Sequence, residues 1–350
     1  MSLIEFTDSG LFCSAGDFYI DPWKPVDKAV ITHGHSDHAR PGSKHILCHP
    51  YTKPVLQLRL GDNDYQTAEW KDPVYMNGVT VTLYPAGHIL GSSQVKVEHQ
   101  GQVWVVSGDY KVEDDGLSGA FEPVHCNTFV TESTFGLPIY NWKPQASIYQ
   151  DIRTWIRGNR LEGKASVLIA YSLGKAQRVL HALVGEVDKV YAHGAIWNMQ
   201  ETLLNSGVLT RGVLPELIRV TPEIQKENFK NAVIIAPPSA DGTPWMKKFS
   251  PAAVGICSGW MQVRGNQRRR NADAGFVLSD HCDWKGLLSA VEATGASRVF
   301  VTHGFQSAFS RYLNEAGIEA REVQTEYGTD EEEVTQELTN DTAEQVATDE

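Results

Sequence analysis

Four side chains of types that bind metal ions lie within six residues, at His33, His35, Asp37 and His38. Three imidazoles and a carboxylate suit zinc, or manganese where further oxygen ligands join them. The spacing is too dense for one half of a single tetrahedral site, so we expect the ligands to be divided between two adjacent metals. A chance histidine-rich loop is the alternative interpretation.

Short apolar segments precede these and the other candidate residues. Ala29–Ile31 leads into the histidine loop, and the β-branched run Val79–Tyr84 leads to His88. Such segments predict buried strands, and functional side chains gather where the strands of a sheet end. The same arrangement recurs at Asp21, Asp109, Glu132, Asp280, His281 and His303.

The middle of the chain has a different pattern. Apolar positions at helical spacing predict a helix over Gln145–Arg160, followed by a strand over Ala165–Ala170 and a helix over Ala176–Val184. Strand, turn and helix then repeat loosely, which is typical of βαβ units in a parallel sheet. Strands that end at candidate metal ligands are expected on both sides of this region. We therefore expect a core domain that is interrupted by an inserted α/β domain.

The composition is that of an ordinary globular protein, with 350 residues, 41% hydrophobic and 21% charged. Five scattered cysteines without a C-x-x-C pair favour reduced thiols and a cytoplasmic location. The first twelve residues do not resemble a signal peptide, and no run approaches the ~20 apolar residues of a membrane helix. We therefore expect no association with a membrane.

The net charge of −12 is unevenly distributed along the chain. The segment from Thr329 to Glu350 carries nine acids and neither Lys nor Arg, a composition that predicts disorder. The rest of the chain is close to neutral, and divalent metals would make its cleft locally positive. The overall charge therefore does not exclude an anionic substrate.

The order of these motifs carries a resemblance. An Asp at position 21 is followed by HxHxDH, a GH followed by LGSS, SGD, TEST-FG and two late histidines. This order resembles the β-CASP branch of the metallo-β-lactamase superfamily, nucleases of DNA or RNA, over about residues 1–325. Within the branch, the chain is most similar to the bacterial ligase-associated DNA exonucleases, which are encoded beside an ATP-dependent DNA ligase and a helicase.

The resemblance implies a fold and a division into domains. The fold would be α/β, an αββα metallo-β-lactamase sandwich with an inserted α/β β-CASP domain. The sandwich would comprise residues 1–136 and 281–328, and the insertion residues 137–280. Residues 329–350 would form an acidic tail.

The resemblance also implies a centre of two divalent metals, zinc or manganese. One metal would be held by His33, His35 and His88, the other by Asp37, His38 and His303, with Asp109 bridging them. The catalytic residues would be Asp37, His281 and Glu132. His281 would be the general acid, and Glu132 would orient His281. Asp21 would hold a ligand imidazole in the required tautomer, and Asp280 would cap a turn or support a neighbour rather than bind metal.

Two segments are candidates for contacts with substrate. Ser172, Gly174 and Lys175 open a predicted helix whose N–H groups could bind phosphate, although a simple helix cap is an equal alternative. The dense basic cluster could follow a nucleic-acid backbone or form a solvated loop; its members are Arg264, Arg268, Arg269 and Arg270.

These features together predict a metal-dependent nuclease of DNA, acting from ends in bacterial repair together with a DNA ligase and a helicase. The first alternative is an RNA-processing nuclease, because RNA-directed members of the branch have histidine where His303 stands and DNA-directed members often have an apolar residue. An enzyme acting on small thioesters or lactams and a non-catalytic scaffold are the further alternatives.

Overall fold

The structure is a computed structural model that describes residues 2–263 and 272–327. The basic cluster from Arg264 to Arg270 and the acidic segment from Thr329 therefore lie outside the described residues. The chain divides into two compact units. Among the described residues, the first unit comprises 2–141 and 281–327, and the second comprises 142–263 and 272–280.

The first unit contains two mixed β-sheets. In spatial order the first sheet is β1 (Glu5–Thr7), β2 (Gly10–Cys13), β3 (Phe18–Ile20), β4 (Lys28–Val30), β5 (His45–Cys48) and β6 (Asp64–Thr67). The second is β19 (Glu319–Glu322), β18 (Arg298–Gly304), β11 (Thr128–Ser133), β10 (Gln102–Val106), β9 (Ser93–His99), β8 (Val79–Pro85) and β7 (Pro73–Met76). Strands β3 to β6 are parallel, as are β10, β11, β18 and β19, whereas β7 to β10 alternate in direction.

The two sheets pack face to face through one apolar core. Leu11 and Phe18 of the first sheet share this core with Val81, Val97 and Trp104 of the second. The alternation of side chains along each strand places the neighbouring residues on the opposite faces. The burial of Val79, Val81 and Leu83 in the same core follows this period of two.

Helices cover the two outer faces of the sandwich. Helix α1 (Lys53–Leu60) packs Leu56 against Ala29 and Ile46 of the first sheet. Helices α5 (Trp284–Thr294) and α6 (Gln306–Glu315) pack Leu287 and Phe309 against the second sheet. The first unit is thus an αββα sandwich, and the predicted α/β fold class is confirmed.

The second unit is built on one parallel six-stranded sheet. Its spatial order is β14 (Glu216–Arg219), β13 (Lys189–Ala192), β15 (Val233–Ala236), β12 (Ala165–Ile169), β16 (Ala252–Cys257) and β17 (Ala274–Phe276). Its helices are α2 (Gln145–Leu161), α3 (Lys175–Ala182) and α4 (Gly194–Asn205), with 3-10 turns at Lys226–Phe229, Pro238–Ala240, Pro244–Phe249 and Gly259–Gln262. The parallel sheet agrees with the strand–helix alternation that the sequence of this region shows. The assignment of the unit to the β-CASP type stays a prediction.

Most of the predicted elements lie within a few residues of their observed bounds. Helix α1 was not predicted, because only Val55 and Leu56 of its eight residues are buried and the apolar period is weak. The strand before Asp280 and His281 covers Ala274–Phe276, so it ends four residues before Asp280 and not directly before it. In the described part of the chain, no helix has both the length and the apolar character needed to cross a membrane.

Candidate metal centre

The ligand-type residues of the first unit follow strands that run in the same direction within each sheet. In the second sheet β10, β11 and β18 are parallel, so Asp109, Glu132 and His303 come to the same edge. In the first sheet β3 and β4 are parallel and lead into Asp21 and the histidine loop. The backbone N–H of Ser93 donates to the carbonyl of Thr32 at 2.8 Å, which joins this loop to the second sheet.

Two glycines permit the close approach of the loops that carry His88 and Asp109. Gly87 and Gly108 have φ angles of +74° and +56°, a region that favours glycine. A Cβ on Gly87 would lie 2.2 Å from the carbonyl oxygen of Lys111, and one on Gly108 would lie 2.7 Å from Oγ1 of Thr32. Any larger residue at either position would therefore displace the ligand that follows it.

The first set of ligand atoms comprises His33, His35, His88 and Asp109, whose donor atoms lie within 4.8 Å of one another. Nε2 of His88 is 3.0 Å from Nδ1 of His35 and 3.8 Å from Oδ2 of Asp109. Nε2 of His33 is 3.5 Å from the same carboxylate oxygen. All four side chains are buried.

A second set comprises His38, Asp109 and His303, so that Asp109 belongs to both sets. Nε2 of His303 is 3.1 Å from Oδ1 of Asp109, and Nε2 of His38 is 3.5 Å from Oδ2. The carboxylate of Asp37 stands beside this set, 3.5 Å from Nε2 of His38. The structure thus brings six of the seven predicted ligands together in two sets that share one carboxylate and places the seventh, Asp37, beside the second set; their binding of metal stays a prediction.

Asp21 accepts hydrogen bonds from Thr32 and His38 of the histidine loop. Its Oδ2 accepts from Nδ1 of His38 at 2.8 Å, and its Oδ1 accepts from the backbone N–H of Thr32 at 2.7 Å. The hydroxyl of Thr32 lies 2.5 Å from Oδ2 of Asp21 and 3.0 Å from Nδ1 of His33. With Nδ1 of His38 occupied, its Nε2 is left as the atom directed at Asp109.

Glu132 and His281 form a pair next to Asp109, and donor atoms of the three residues lie within 4.8 Å of one another. Nδ1 of His281 lies 3.0 Å from both carboxylate oxygens of Glu132. Glu132 is itself fixed, because its Oε1 accepts from the backbone N–H of Tyr110 at 2.9 Å. The His281 ring lies 4.6 Å from that of His88, which brings the pair to the first ligand set.

Opposite charges dominate the electrostatics of this cluster. Burial opposes protonation of His38, but the negative charges of Asp109 and Asp37 outweigh it and raise the pKa of His38 to about 10. Burial likewise opposes ionisation of Asp109, yet the positive charges of His38 and His303 hold its pKa well below the usual range. Burial lowers the pKa of His33 well below 6.5, and the neighbouring charge of His38 adds to this effect. The cluster therefore carries buried negative charge that protons compensate and that cations could compensate instead.

The donor atoms fit divalent metals. Nε2 of His33, Nε2 of His38 and Oδ1 of Asp37 are buried and have no hydrogen-bond partner among the described residues. A buried polar atom without a partner costs folding free energy, so such atoms at one place indicate a missing ligand. Imidazole nitrogens with carboxylate oxygens suit zinc or manganese.

The predicted substrate contacts in the second unit have partners of their own. Nζ of Lys175 is 3.1 Å from Oδ1 of Asp280, and both side chains are at most 2% exposed. The backbone N–H of Gly174 donates to Oε1 of Gln177 at 2.7 Å, and Nε2 of Gln177 donates to the carbonyl of Ser172 at 3.2 Å. This geometry favours the helix-cap interpretation over a phosphate site. The predicted contacts of Arg264 and Arg268 lie outside the described residues.

Several residues around the centre were not identified from the sequence. Thr32 links Asp21 to His33, and the ring of Tyr327 stacks on that of His38 at 4.4 Å. A threonine at a strand end and a lone tyrosine near the terminus belong to no recognisable pattern. Their position next to the candidate ligands is apparent only in the folded structure.

Comparison with known proteins gives two kinds of relative. The chain is 29% identical over 324 residues to the probable DNA ligase of Opitutus terrae, a match that covers 89% of this chain and 30% of that protein. It is 28% identical over 117 residues to endoribonuclease YSH1 of Saccharomyces cerevisiae, which covers 33% of this chain and 15% of that protein. The YSH1 protein of Yarrowia lipolytica is 29% identical over 191 residues, covering 44% of this chain and 23% of that protein. The chain thus spans less than a third of the length of these relatives.

No family model matches the chain. A crystal structure described as a protein of unknown function from Enterococcus faecalis V583 is similar with a TM-score of 0.58 and 11% identity. The match covers 88% of this chain and 82% of that one, and it supports the α/β fold alone. The named relatives, at low identity, connect the chain with enzymes of nucleic acids.

Proposed function

We propose that the protein is a two-metal nuclease of the β-CASP type that hydrolyses phosphodiester bonds of DNA. The observation that carries the proposal is the convergence of two ligand sets on Asp109, with the Glu132–His281 pair beside them. The relatives named as endoribonucleases support nuclease chemistry on this scaffold.

Each part of the cluster has a role in this proposal. The two sets of ligands would hold two divalent cations, which supply activation of water and neutralisation of charge on the phosphate. Asp21 and Thr32 fix the ring orientations of His38 and His33 through their Nδ1 atoms. Asp109 keeps the two sets close together, since one carboxylate belongs to both.

His281 is suited to the protonation of the leaving oxygen. Glu132 occupies Nδ1 of His281 and stabilises the protonated ring, so the transferable proton is the one on Nε2. A histidine in this role contributes about 10²- to 10⁴-fold to the rate. Glu132 acts as a positioning residue through His281.

The relatives favour DNA as the substrate. The match to the probable DNA ligase covers 89% of this chain, whereas the endoribonuclease matches cover 33% and 44%. Because the match covers only 30% of the protein named as a DNA ligase, we infer DNA as a shared substrate but do not infer ligation activity. The presence of a similar segment within that protein also supports a functional association with a DNA ligase. The helicase partner, action from ends, bacterial repair and the cytoplasmic location remain parts of the proposal.

RNA is the second candidate substrate. RNA-directed members of the β-CASP branch, which this chain resembles, have histidine at the position of His303. Nε2 of His303 lies 3.1 Å from Oδ1 of Asp109. The endoribonuclease relatives agree with this alternative.

Digestion of matched, end-labelled DNA and RNA strands by the purified protein tests the proposal. Zinc, manganese and magnesium are compared, with a His281→Ala variant as the control for a contaminating nuclease. Metal-dependent loss of DNA that the variant slows 10²- to 10⁴-fold supports the proposal. Cleavage of RNA alone favours the second candidate, and cleavage of neither polymer rejects both.

A further inference from the structure

The last described segment of the chain returns to the metal centre. Strand β19 runs parallel to β18, so both lead toward the same edge of the second sheet. The backbone N–H of Val323 still donates to the carbonyl of Val301 at 2.9 Å, and Nε2 of Gln306 donates to the carbonyl of Val323 at 2.8 Å. The residues after Val323 therefore approach the end of β18, where His303 lies.

Arg40 ties this segment to the histidine loop. Its guanidinium donates to the backbone carbonyl of Glu326, and its Nη1 lies 3.5 Å from the Glu326 carboxylate. Its Nε donates to the carbonyl of Asp37 at 3.4 Å. One side chain thus bridges a predicted ligand and the residue that precedes Tyr327.

The ring of Tyr327 contacts both imidazoles of the second ligand set. It stacks on His38 with centroids 4.4 Å apart and an interplanar angle of 10°. It meets His303 edge to face at 5.7 Å and 80°, and Trp23 supports it at 5.6 Å. Tyr327 and both histidines also line one small cavity.

We propose that Tyr327 is a positioning residue for the second metal site, held in place by the bridge between Arg40 and Glu326. The proposal rests on the two-metal centre proposed above. His38 is restrained at Nδ1 by Asp21 and on its ring face by Tyr327, which leaves Nε2 aimed at Asp109. The edge contact restrains the ring of His303 in the same way.

Loss of this restraint should weaken one metal site selectively. Supporting contacts around a ligand are worth about 10- to 100-fold in metal affinity. His38 and His303 belong to the second set, so removal of the Tyr327 ring should lower affinity there and leave the affinity of the other site close to its original value.

Equilibrium dialysis of the metal-free protein against zinc tests the proposal without any measurement of activity. We expect two zinc ions in the unaltered protein, and in Tyr327→Ala one retained ion and a second bound 10- to 100-fold more weakly. Tyr327→Phe should restore the second site, because the ring and not the hydroxyl makes these contacts. Tyr75→Ala, at a 77% exposed tyrosine on β7, is the matched control and should bind as the unaltered protein does.

The outcomes separate the two proposals. Two sites of unaltered affinity in Tyr327→Ala, or equal impairment in Tyr327→Phe, would overturn the role of Tyr327 while leaving the metal centre intact. Failure of the unaltered protein to bind zinc or manganese would overturn the metal centre itself.

Tyr327→Leu provides a variant that keeps apolar volume if the alanine variant does not fold. It should also lose affinity at the second site, and binding equal to that of Tyr327→Phe would contradict the need for a stacked ring. A chain lacking Thr329–Glu350 retains Tyr327 and should keep both sites. Weakening of the second site by that truncation would assign its support to the removed residues instead.

Discussion

Two buried clusters of ionisable residues, one in each unit, differ in how their charges are balanced. In the second unit Lys175 and Asp280 pair at 3.1 Å, so one cation meets one anion. In the first unit Asp21, Asp37 and Asp109 are each at most 4% exposed, and each of them forms an ion pair with an imidazole. Burial of an unbalanced charge is costly, so a cluster of this second kind must either take up protons or bind cations.

The difference separates a cluster that is balanced in charge from one that could bind cations. The charges of Lys175 and Asp280 balance each other. In the first unit the ion-pair partners of the carboxylates are imidazoles, and Nε2 of His33 and Nε2 of His38 have no hydrogen-bond partner among the described residues. A charge balance that Lys or Arg does not provide is thus a better sign of function at a buried site than the mere presence of charged residues.

The largest expected effect comes from removal of a ligand in the first unit. His88→Ala or Asp37→Ala should lower the cleavage rate at least 10³-fold, because each removes a donor atom of the centre. Initial rates on end-labelled DNA measure the effect, and circular dichroism checks that the fold is retained. Near-normal rates in both variants would refute the assignment of the site.

For the Lys175–Asp280 pair of the second unit we expect a smaller effect on function and a larger effect on stability. Lys175→Met leaves Asp280 buried without its cation and should cost about 3–5 kcal/mol of unfolding free energy. The double variant Lys175→Met, Asp280→Leu should recover most of this loss. Urea unfolding with zinc dialysis measures both properties. Loss of bound zinc in the folded double variant would show that the pair serves the metal centre.

The smallest effect concerns His49, a buried imidazole stacked on Trp70 at 4.1 Å. Burial lowers its pKa from 6.5 to about 4, so it is neutral in the folded protein while the unfolded chain takes up a proton below about pH 6.5. Stability should therefore fall as the pH decreases from about 6.5 toward 4. Allowing for solvent screening, the loss is about 1 kcal/mol by pH 5.

Urea midpoints at pH 7.5 and 5 measure this dependence in the unaltered protein and in His49→Phe, which keeps a ring against Trp70. The phenylalanine variant should show the shallower decrease. An equal decrease in both proteins would assign the pH dependence to other groups, such as the acids and imidazoles of the metal centre.

The proximity of the candidate ligands could be predicted from the sequence because these residues follow strands. Strand direction in a sheet brings Asp109, Glu132 and His303 to one edge, so a pattern along the chain becomes proximity in space. The parallel sheet of the second unit was predicted for a similar reason, since strands and helices alternate there.

Contacts without a sequence pattern could not be predicted. Tyr327 reaches His38 only because β19 runs parallel to β18, and β19 is a four-residue strand with a single buried side chain, Ala320. At the helix that Lys175 opens, the sequence left a phosphate site and a helix cap as equal alternatives, because the pairing of Lys175 with Asp280 joins residues 105 positions apart in the chain.

Metal titration of the cleavage reaction tests the central claim most directly. Protein stripped of metal is supplied with increasing zinc or manganese, and the rate on end-labelled DNA is followed against the equivalents bound. The two ligand sets that share Asp109 predict negligible cleavage without metal and a rate that saturates at two equivalents per chain. Cleavage that is unaffected by removal of metal, or that saturates fully at one equivalent, would contradict the two-metal account.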